Sequence, residues 1–280
     1  MGTVSHNRDS QPGYDNGQGH ARMEITLKGR KALVTGGSLG IGLAIASQFA
    51  AAGADVAIMA RRRGPLDEAA ATIGARPGQQ VVPVVCDVAR ADDIERGYAE
   101  VVAALGKVDI LVNNAGMSNA AAFEQVTDAQ WQEDLDLKLF AAIRLVRLAW
   151  PQMKQQKWGR IINVLNTGAK APRPASAPTS VTRAAGMALT KVLAGEGAPH
   201  GILVNAMLVG FIESDQWVRR AKAAGMPLQE VLADMAKDIP LGRVGTAQEF
   251  ANMACFLASD LASYITGTAI NVDGGRSPVP

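Results

Sequence analysis

Thr35-Gly36-Gly37-Ser38-Leu39-Gly40-Ile41-Gly42 follows the apolar run Ala32-Leu33-Val34 and opens a helical stretch from Leu43 to Ala52. The order is strand, glycine turn, helix. Gly36 permits the tight turn, and Gly40 and Gly42 lack a Cβ, so backbone can approach a pyrophosphate seated on the helix N-terminus. Unpaired N–H groups and the helix dipole attract an anion there. A nucleotide is the ligand this stretch suggests, with spacing TGxxxGxG in place of the commoner GxGxxG.

The surrounding chain repeats the same alternation. Apolar runs at Lys31 to Thr35, Val56 to Met59, Val81 to Val85, Ile110 to Asn113, Arg160 to Val164, Leu203 to Met207 and Ala269 to Val272 predict seven strands. Helices are expected near Ile41 to Ala52, Leu66 to Ile73, Asp92 to Leu105, Val181 to Glu196 and Ala247 to Ala258, with one long helix from about Asp128 to Lys154. Strands nearly continuous in Val, Ile and Leu are those covered by helices on both faces. The expectation is a three-layer, doubly wound α/β domain over 23–280, with 1–22 as a disordered polar extension.

Composition narrows the function. The 280 residues are 48% hydrophobic with net charge +2, and the cations are dispersed apart from Arg61-Arg62-Arg63, so no basic face for nucleic acid stands out. No run is long enough to span a bilayer, and no signal-like apolar segment begins the chain. Cys86 and Cys255, far apart in apolar settings, read as two buried thiols of a cytoplasmic protein. The three histidines His6, His20 and His200 lack the spacing of metal ligands, so no metal is expected.

Ligands of doubly wound sheets lie beyond the carboxyl ends of the strands. After the second strand stand Arg61 and Arg62, where an acid would hold a ribose 2′-hydroxyl; cations suit a 2′-phosphate and hence NADP, with NAD still possible.

From Leu27 to Ser277 the chain resembles the short-chain dehydrogenase/reductase family, and within it the 3-oxoacyl-(acyl carrier protein) reductase-like members. The resemblance is carried by the glycine turn, by Asp87-Val88, by Asn113-Asn114-Ala115-Gly116, and by Tyr264-Ile265-Thr266-Gly267 with Asn271-Val272-Asp273-Gly274-Gly275. It implies a seven-stranded Rossmann sheet, a nicotinamide cofactor and a homo-oligomer, a tetramer or dimer. The cofactor positions it implies begin with Gly36, Ser38, Leu39, Gly40, Ile41 and Gly42. They continue with Arg61, Arg62, Asp87, Val88, Asn114, Ala115 and Gly116, and close with Arg183, Val209, Gly210 and Ile212.

The family's catalytic Asn, Ser, Tyr and Lys are all replaced. Aligning Thr179-Ser180-Val181-Thr182-Arg183 with the YxxxK segment puts Thr179 at the Tyr and Arg183 at the Lys. Thirteen residues before Thr179 the Ser position is Asn166, and seven after Trp131 the Asn position is Lys138. Arg183 can still hydrogen-bond the nicotinamide ribose, whereas Thr179 alone is a poor, short acid. Asn166 can polarise a carbonyl. Lys138 is the new group able to deliver a proton, with a pKa lowered if Arg183 is close and no carboxylate intervenes.

Three readings stand at this point. One is a reductase of a small carbonyl or alcohol substrate, anionic or neutral, with rearranged acid chemistry. Another is a cofactor-binding pseudoenzyme that serves as sensor or assembly subunit. The third is a non-redox lyase or isomerase acting on an anionic substrate. Residues 211–243 are expected to cover the site, with Trp217, Met226, Leu228, Val231, Leu232 and Met235 as an apolar lining and Arg219, Arg220 and Lys222 as its basic residues. Thr167 to Pro178 is expected as the opposite, proline-stiffened wall.

Overall fold

The computed structural model describes residues 24–280. The expected extension at 1–22 lies outside the described residues. Seven parallel strands form one sheet in the order β3-β2-β1-β4-β5-β6-β7. They are β1 (Lys31–Thr35), β2 (Asp55–Ala60), β3 (Val81–Val85), β4 (Ile110–Asn113), β5 (Gly159–Asn166), β6 (Ile202–Val209) and β7 (Ala269–Val272). The seven-stranded doubly wound sheet read from the sequence is therefore the observed one.

Alternate side chains of each strand enter opposite faces, so one apolar run supplies two cores. Ala32, Val34, Val56, Ile58, Ile110 and Val112 pack with α1 (Gly40–Ala51), α2 (Arg63–Ile73) and α9 (Ala247–Ala258). Leu33, Ala57, Met59 and Leu111 pack on the other face with α3 (Ala91–Leu105), α5 (Ala141–Gln156) and α6 (Thr179–Gly197). Cys86 and Cys255 are free and buried, one in each core. Burial pushes the Cys86 thiol up to about 12 and the Cys255 thiol up to about 11, so neither is a ready nucleophile. Among the described residues no helix is long and apolar enough to cross a membrane.

The expected long helix is present, from Asp128 to Gln156, and carries a π turn within it. It runs as α4 (Asp128–Leu135), a π turn over Asp136–Phe140, and α5. The N–H of Ala141 reaches back five residues to the Asp136 carbonyl, which widens the turn around Lys138. Sheet order reverses between β1 and β4, where a crevice opens at the carboxyl ends.

Candidate active site

The crevice is built on a clamp between the two central strands. Thr35 Oγ1 accepts hydrogen bonds from the N–H groups of Asn114 and Ala115, both at 3.0 Å, and Asn114 Nδ2 donates to the Thr35 carbonyl at 2.9 Å. Gly36 turns with φ +63°, and a Cβ there would lie 2.9 Å from Asn114 Nδ2. Gly40 has φ +54° and faces open space, with Ser214 Cβ at 3.8 Å the nearest atom to a Cβ placed on it. Leu39, the N-cap of α1, offers no side-chain cap, so first-turn N–H groups are left for an anion. Gly42 differs from expectation: a Cβ there would strike the Gly36 carbonyl oxygen, so this glycine seats the helix on its own turn.

Two cavities lie along the crevice and share Gly116 and Met117. The first, about 490 Å³, is walled by Gly36, Ser38 and Leu39 on one side and by Arg61, Arg62, Asp87, Val88 and Ala115 on the other. Arg63 is held by Asp67 at 3.1 Å, whereas Arg61 and Arg62 are exposed and form no ion pair among the described residues. Asp87 Oδ1 accepts from the N–H of Ala89 at 3.1 Å, which orients its carboxylate at the cavity rim.

The second cavity, about 380 Å³, receives Ile41, Asn114, Val209, Gly210 and Ile212 together with Asn166, Thr179 and Arg183. Every expected cofactor residue except Gly40 and Gly42 thus lines one cavity or the other. Gly210 is required by packing, since a Cβ there would lie 2.5 Å from Asp273 Cβ. Arg183 lies across the floor. Its Nη1 donates to the Val164 carbonyl at 2.7 Å, its Nη2 would be 2.5 Å from a Cβ on Gly116, and its Nε is buried without a partner. Burial pushes this guanidinium down to about 10, against the attraction of Asp134. Asn166 ends β5 with its side-chain amide unpaired among the described residues, its Oδ1 buried.

Lys138 is not in the wall. Its side chain is 1% exposed and sits behind Thr179, where its Nζ donates to Asp134 Oδ1 and, at 3.1 Å, to Thr179 Oγ1. Asn119 completes the ring. Its N–H donates to Thr179 Oγ1 at 3.0 Å and its Nδ2 to Asp134 Oδ1 at 3.4 Å. A carboxylate therefore pairs with Lys138, while Arg183 feels Asp134 only through its charge. Burial still wins: loss of hydration lowers the Lys138 pKa to about 8, the Asp134 hydrogen bond opposes this, and the Arg183 charge adds to it.

Thr179, the first residue of α6 and 4% exposed, now has a defined hydrogen-bonding duty. Its oxygen accepts from two donors, so its own proton is free to be donated into the cavity. Asp134 and Asn119 were missed in the sequence reading. The first was signalled by its place four residues before Lys138 on one helix, a spacing that pairs side chains.

The expected cover at 211–243 folds as α7 (Asp215–Ala224) and α8 (Leu228–Ala236). Of its expected apolar lining only Trp217 reaches the cavity, edge-on to Phe211 with ring centroids 5.6 Å apart. Met226 is exposed, and Leu228, Val231, Leu232 and Met235 stay half-buried on α8, away from the cavity. The side chains of Arg219 and Arg220 lie outside the described residues, and Lys222 is exposed. The opposite wall is Thr167, Gly168, Ala171, Arg173 and Ser176, and Arg276 comes in from the C-terminal segment. Neither Arg173 nor Arg276 was anticipated. Among the described residues no cluster of His, Cys, Asp and Glu is arranged to hold a metal ion.

Residues 36–277 match the family described as enoyl-(acyl carrier protein) reductase. The chain is 35% identical over 253 residues to the 3-oxoacyl-(acyl-carrier-protein) reductase of Aquifex aeolicus, covering 90% of this chain and 99% of that one. The L-sorbose reductase of Gluconobacter frateurii, solved with NADPH and L-sorbose, superposes with a TM-score of 0.88 at 34% identity, over 92% of this chain and all (100%) of that one. An NADPH-bound short chain oxidoreductase of Pseudomonas aeruginosa PAO1, described as containing an atypical catalytic center, superposes at 0.85 with 39% identity, over 91% of this chain and 100% of that one.

Proposed function

Since this chain belongs to the short-chain dehydrogenase/reductase family, we propose that it is an NADPH-dependent reductase of a small carbonyl compound, with Thr179 as proton donor and Lys138 as the group that recharges it. The observation that carries this reading is the Thr179 hydroxyl at the cavity wall, backed by the buried Lys138 ammonium at 3.1 Å. The residues present fit the cofactor: uncapped N–H groups at the start of α1 would take its pyrophosphate, and the unpaired Nε of Arg183 a ribose hydroxyl. Arg61 and Arg62, free of ion pairs among the described residues, would take its 2′-phosphate.

A dihydronicotinamide held there would supply a hydride to the carbonyl carbon. The chain must then deliver one proton to the carbonyl oxygen. Asn166 donates a hydrogen bond from its side-chain amide to that oxygen, holding charge as it develops. Thr179 transfers its hydroxyl proton to the oxygen while Lys138 passes a proton to Thr179 Oγ1, so no free threonine alkoxide forms. Lys138 is left as a neutral amine that still donates to Asp134, and a pKa near 8 makes that loss feasible close to neutral pH. Asp134 and Asn119 position the relay. Reversed, the same steps oxidise an alcohol.

Within this reading residues 211–243 cover the substrate, supported by the Phe211 and Trp217 pair at the cavity. The protein works as a homo-oligomer, supported by exposed Val181 and Val192 on α6, and in the cytoplasm, a reducing setting that suits two free thiols. The test is titration with NADPH and NADH by nucleotide fluorescence, followed by NADPH oxidation against a panel of aldehydes and ketones. Tight NADPH binding with turnover is expected. Binding without turnover by any carbonyl would favour a cofactor sensor, and no binding of either nucleotide would refute the reading.

A further inference from the structure

We infer that the substrate is a carbonyl compound bearing a carboxylate, and that Arg173 and Arg276 hold this carboxylate at the outer end of the cavity containing Thr179 and Asn166. The inference rests on the reductase reading and adds to it the substrate class. Among the described residues the arginines that line this cavity are Arg173, Arg183 and Arg276, and no described Asp or Glu side chain joins them. Arg183 is engaged on the floor through the Val164 carbonyl, and Lys138 is spent on Asp134 behind the wall. Two cations are left facing the space that substrate must fill.

Arg276 is held in a fixed plane. Its guanidinium lies 3.8 Å over the Phe211 ring, and its Nε is buried without a partner among the described residues. The neighbouring acid does not consume it. Asp273 Oδ1 accepts from the N–H of Gly275 at 3.0 Å and Oδ2 from the N–H of Ser277 at 2.7 Å. Asp238, exposed at the end of the cover, attracts Arg276 without forming an ion pair. Arg173 stands on the exposed loop after β5, and its guanidinium has no hydrogen-bond partner among the described residues.

Burial and then the charge of Arg173 lower the Arg276 pKa, while Asp238 and Asp273 oppose them. Two unpaired guanidinium groups that repel each other across a cavity are relieved by an anion between them. A planar fork immobilised on an aromatic ring presents paired N–H donors at the spacing of carboxylate oxygens. The carbonyl end of such a substrate is left for Asn166 and Thr179, so the two arginines bind its far end without touching the reacting atoms.

The probes are 4-oxopentanoate, 5-oxohexanoate and their methyl esters, with NADPH oxidation as one readout and calorimetric binding of pentanoate to the NADP⁺-loaded protein as the other. The acids should exceed their esters in kcat/KM by about 10- to 100-fold, the range for a hydrogen bond to a charged group. Arg173→Ala, on an exposed loop, should raise KM for the acids by a similar factor, about 10- to 100-fold, with kcat and the ester kinetics unchanged. Arg276→Gln should do the same, and both variants should keep wild-type NADPH affinity. Equal rates for acid and ester, or a preference for dihydroxyacetone phosphate over every oxo acid, would overturn the carboxylate assignment while leaving the reductase intact. If no carbonyl oxidises NADPH, the reductase reading falls. Pentanoate binding that Arg173→Ala abolishes would then still establish the anion site, and its absence would overturn that too.

Discussion

Replacing Lys138 by Met removes one half of an ion pair that is closed to water, with side-chain exposures of 1% for Lys138 and 0% for Asp134. The methionine fills the lysine stem's space but leaves Asp134 with a single 3.4 Å contact from Asn119 on Oδ1 and no partner on Oδ2. Stranding a buried charge in this way costs about 3–5 kcal/mol. For a chain of this size each kcal/mol lowers the midpoint by about 2–4 °C, so Lys138→Met should melt roughly 6–20 °C below wild type. Asp134→Leu combined with Lys138→Met removes both charges and should regain most of the loss. The assay is urea unfolding followed by tryptophan fluorescence, with calorimetry at matched protein concentration so that assembly does not bias the comparison. A single variant within about 1 kcal/mol of wild type, or a double variant as unstable as the single, would refute the buried pair.

Arg61→Glu should weaken NADPH binding by about 10- to 100-fold, the loss of a charge-assisted contact, and leave NADH binding nearly unchanged. Equal losses for the two nucleotides, measured by fluorescence titration, would remove the phosphate argument. Gly42→Ala drives a Cβ into the Gly36 carbonyl oxygen and should cost about 1–3 kcal/mol in urea unfolding. An alanine variant as stable as wild type would show that the glycine turn has slack.

The sheet could be read because each strand is an apolar run buried on two faces, and its parallel pairing followed from the βαβ rhythm that the glycine turn begins. The crevice could be read for the same reason, as the loops after β1, β2 and β4 must meet at its mouth. What stayed hidden depends on side-chain direction. The alignment placed Lys138 at the site, but a π turn and a carboxylate one helical turn earlier send its ammonium behind Thr179. Thr179 looked like a weak acid because its two hydrogen-bond donors come from distant segments, Asn119 and Lys138. Arg173 and Arg276 lie over a hundred positions apart in sequence, and only the turn after β7 brings them to one cavity. Of the six apolar residues expected to line the site from 211–243, Trp217 alone reaches the cavity, because the others lie on α8 or at the turn before it.

The central claim is that a threonine recharged by a buried lysine donates the proton. Its most direct test is single-turnover NADPH oxidation with an accepted carbonyl, followed by stopped flow from pH 6 to 10 in wild type, Thr179→Ser and Thr179→Val. Lys138 must be protonated to recharge Thr179, so the wild-type rate should be level at low pH and fall as pH rises through about 8. Thr179→Ser should keep that profile. Thr179→Val should lose about 10²- to 10⁴-fold, the contribution of general acid catalysis, and show no fall near pH 8, with NADPH affinity unchanged. A valine variant that transfers hydride at the wild-type rate with the wild-type pH profile would contradict the account.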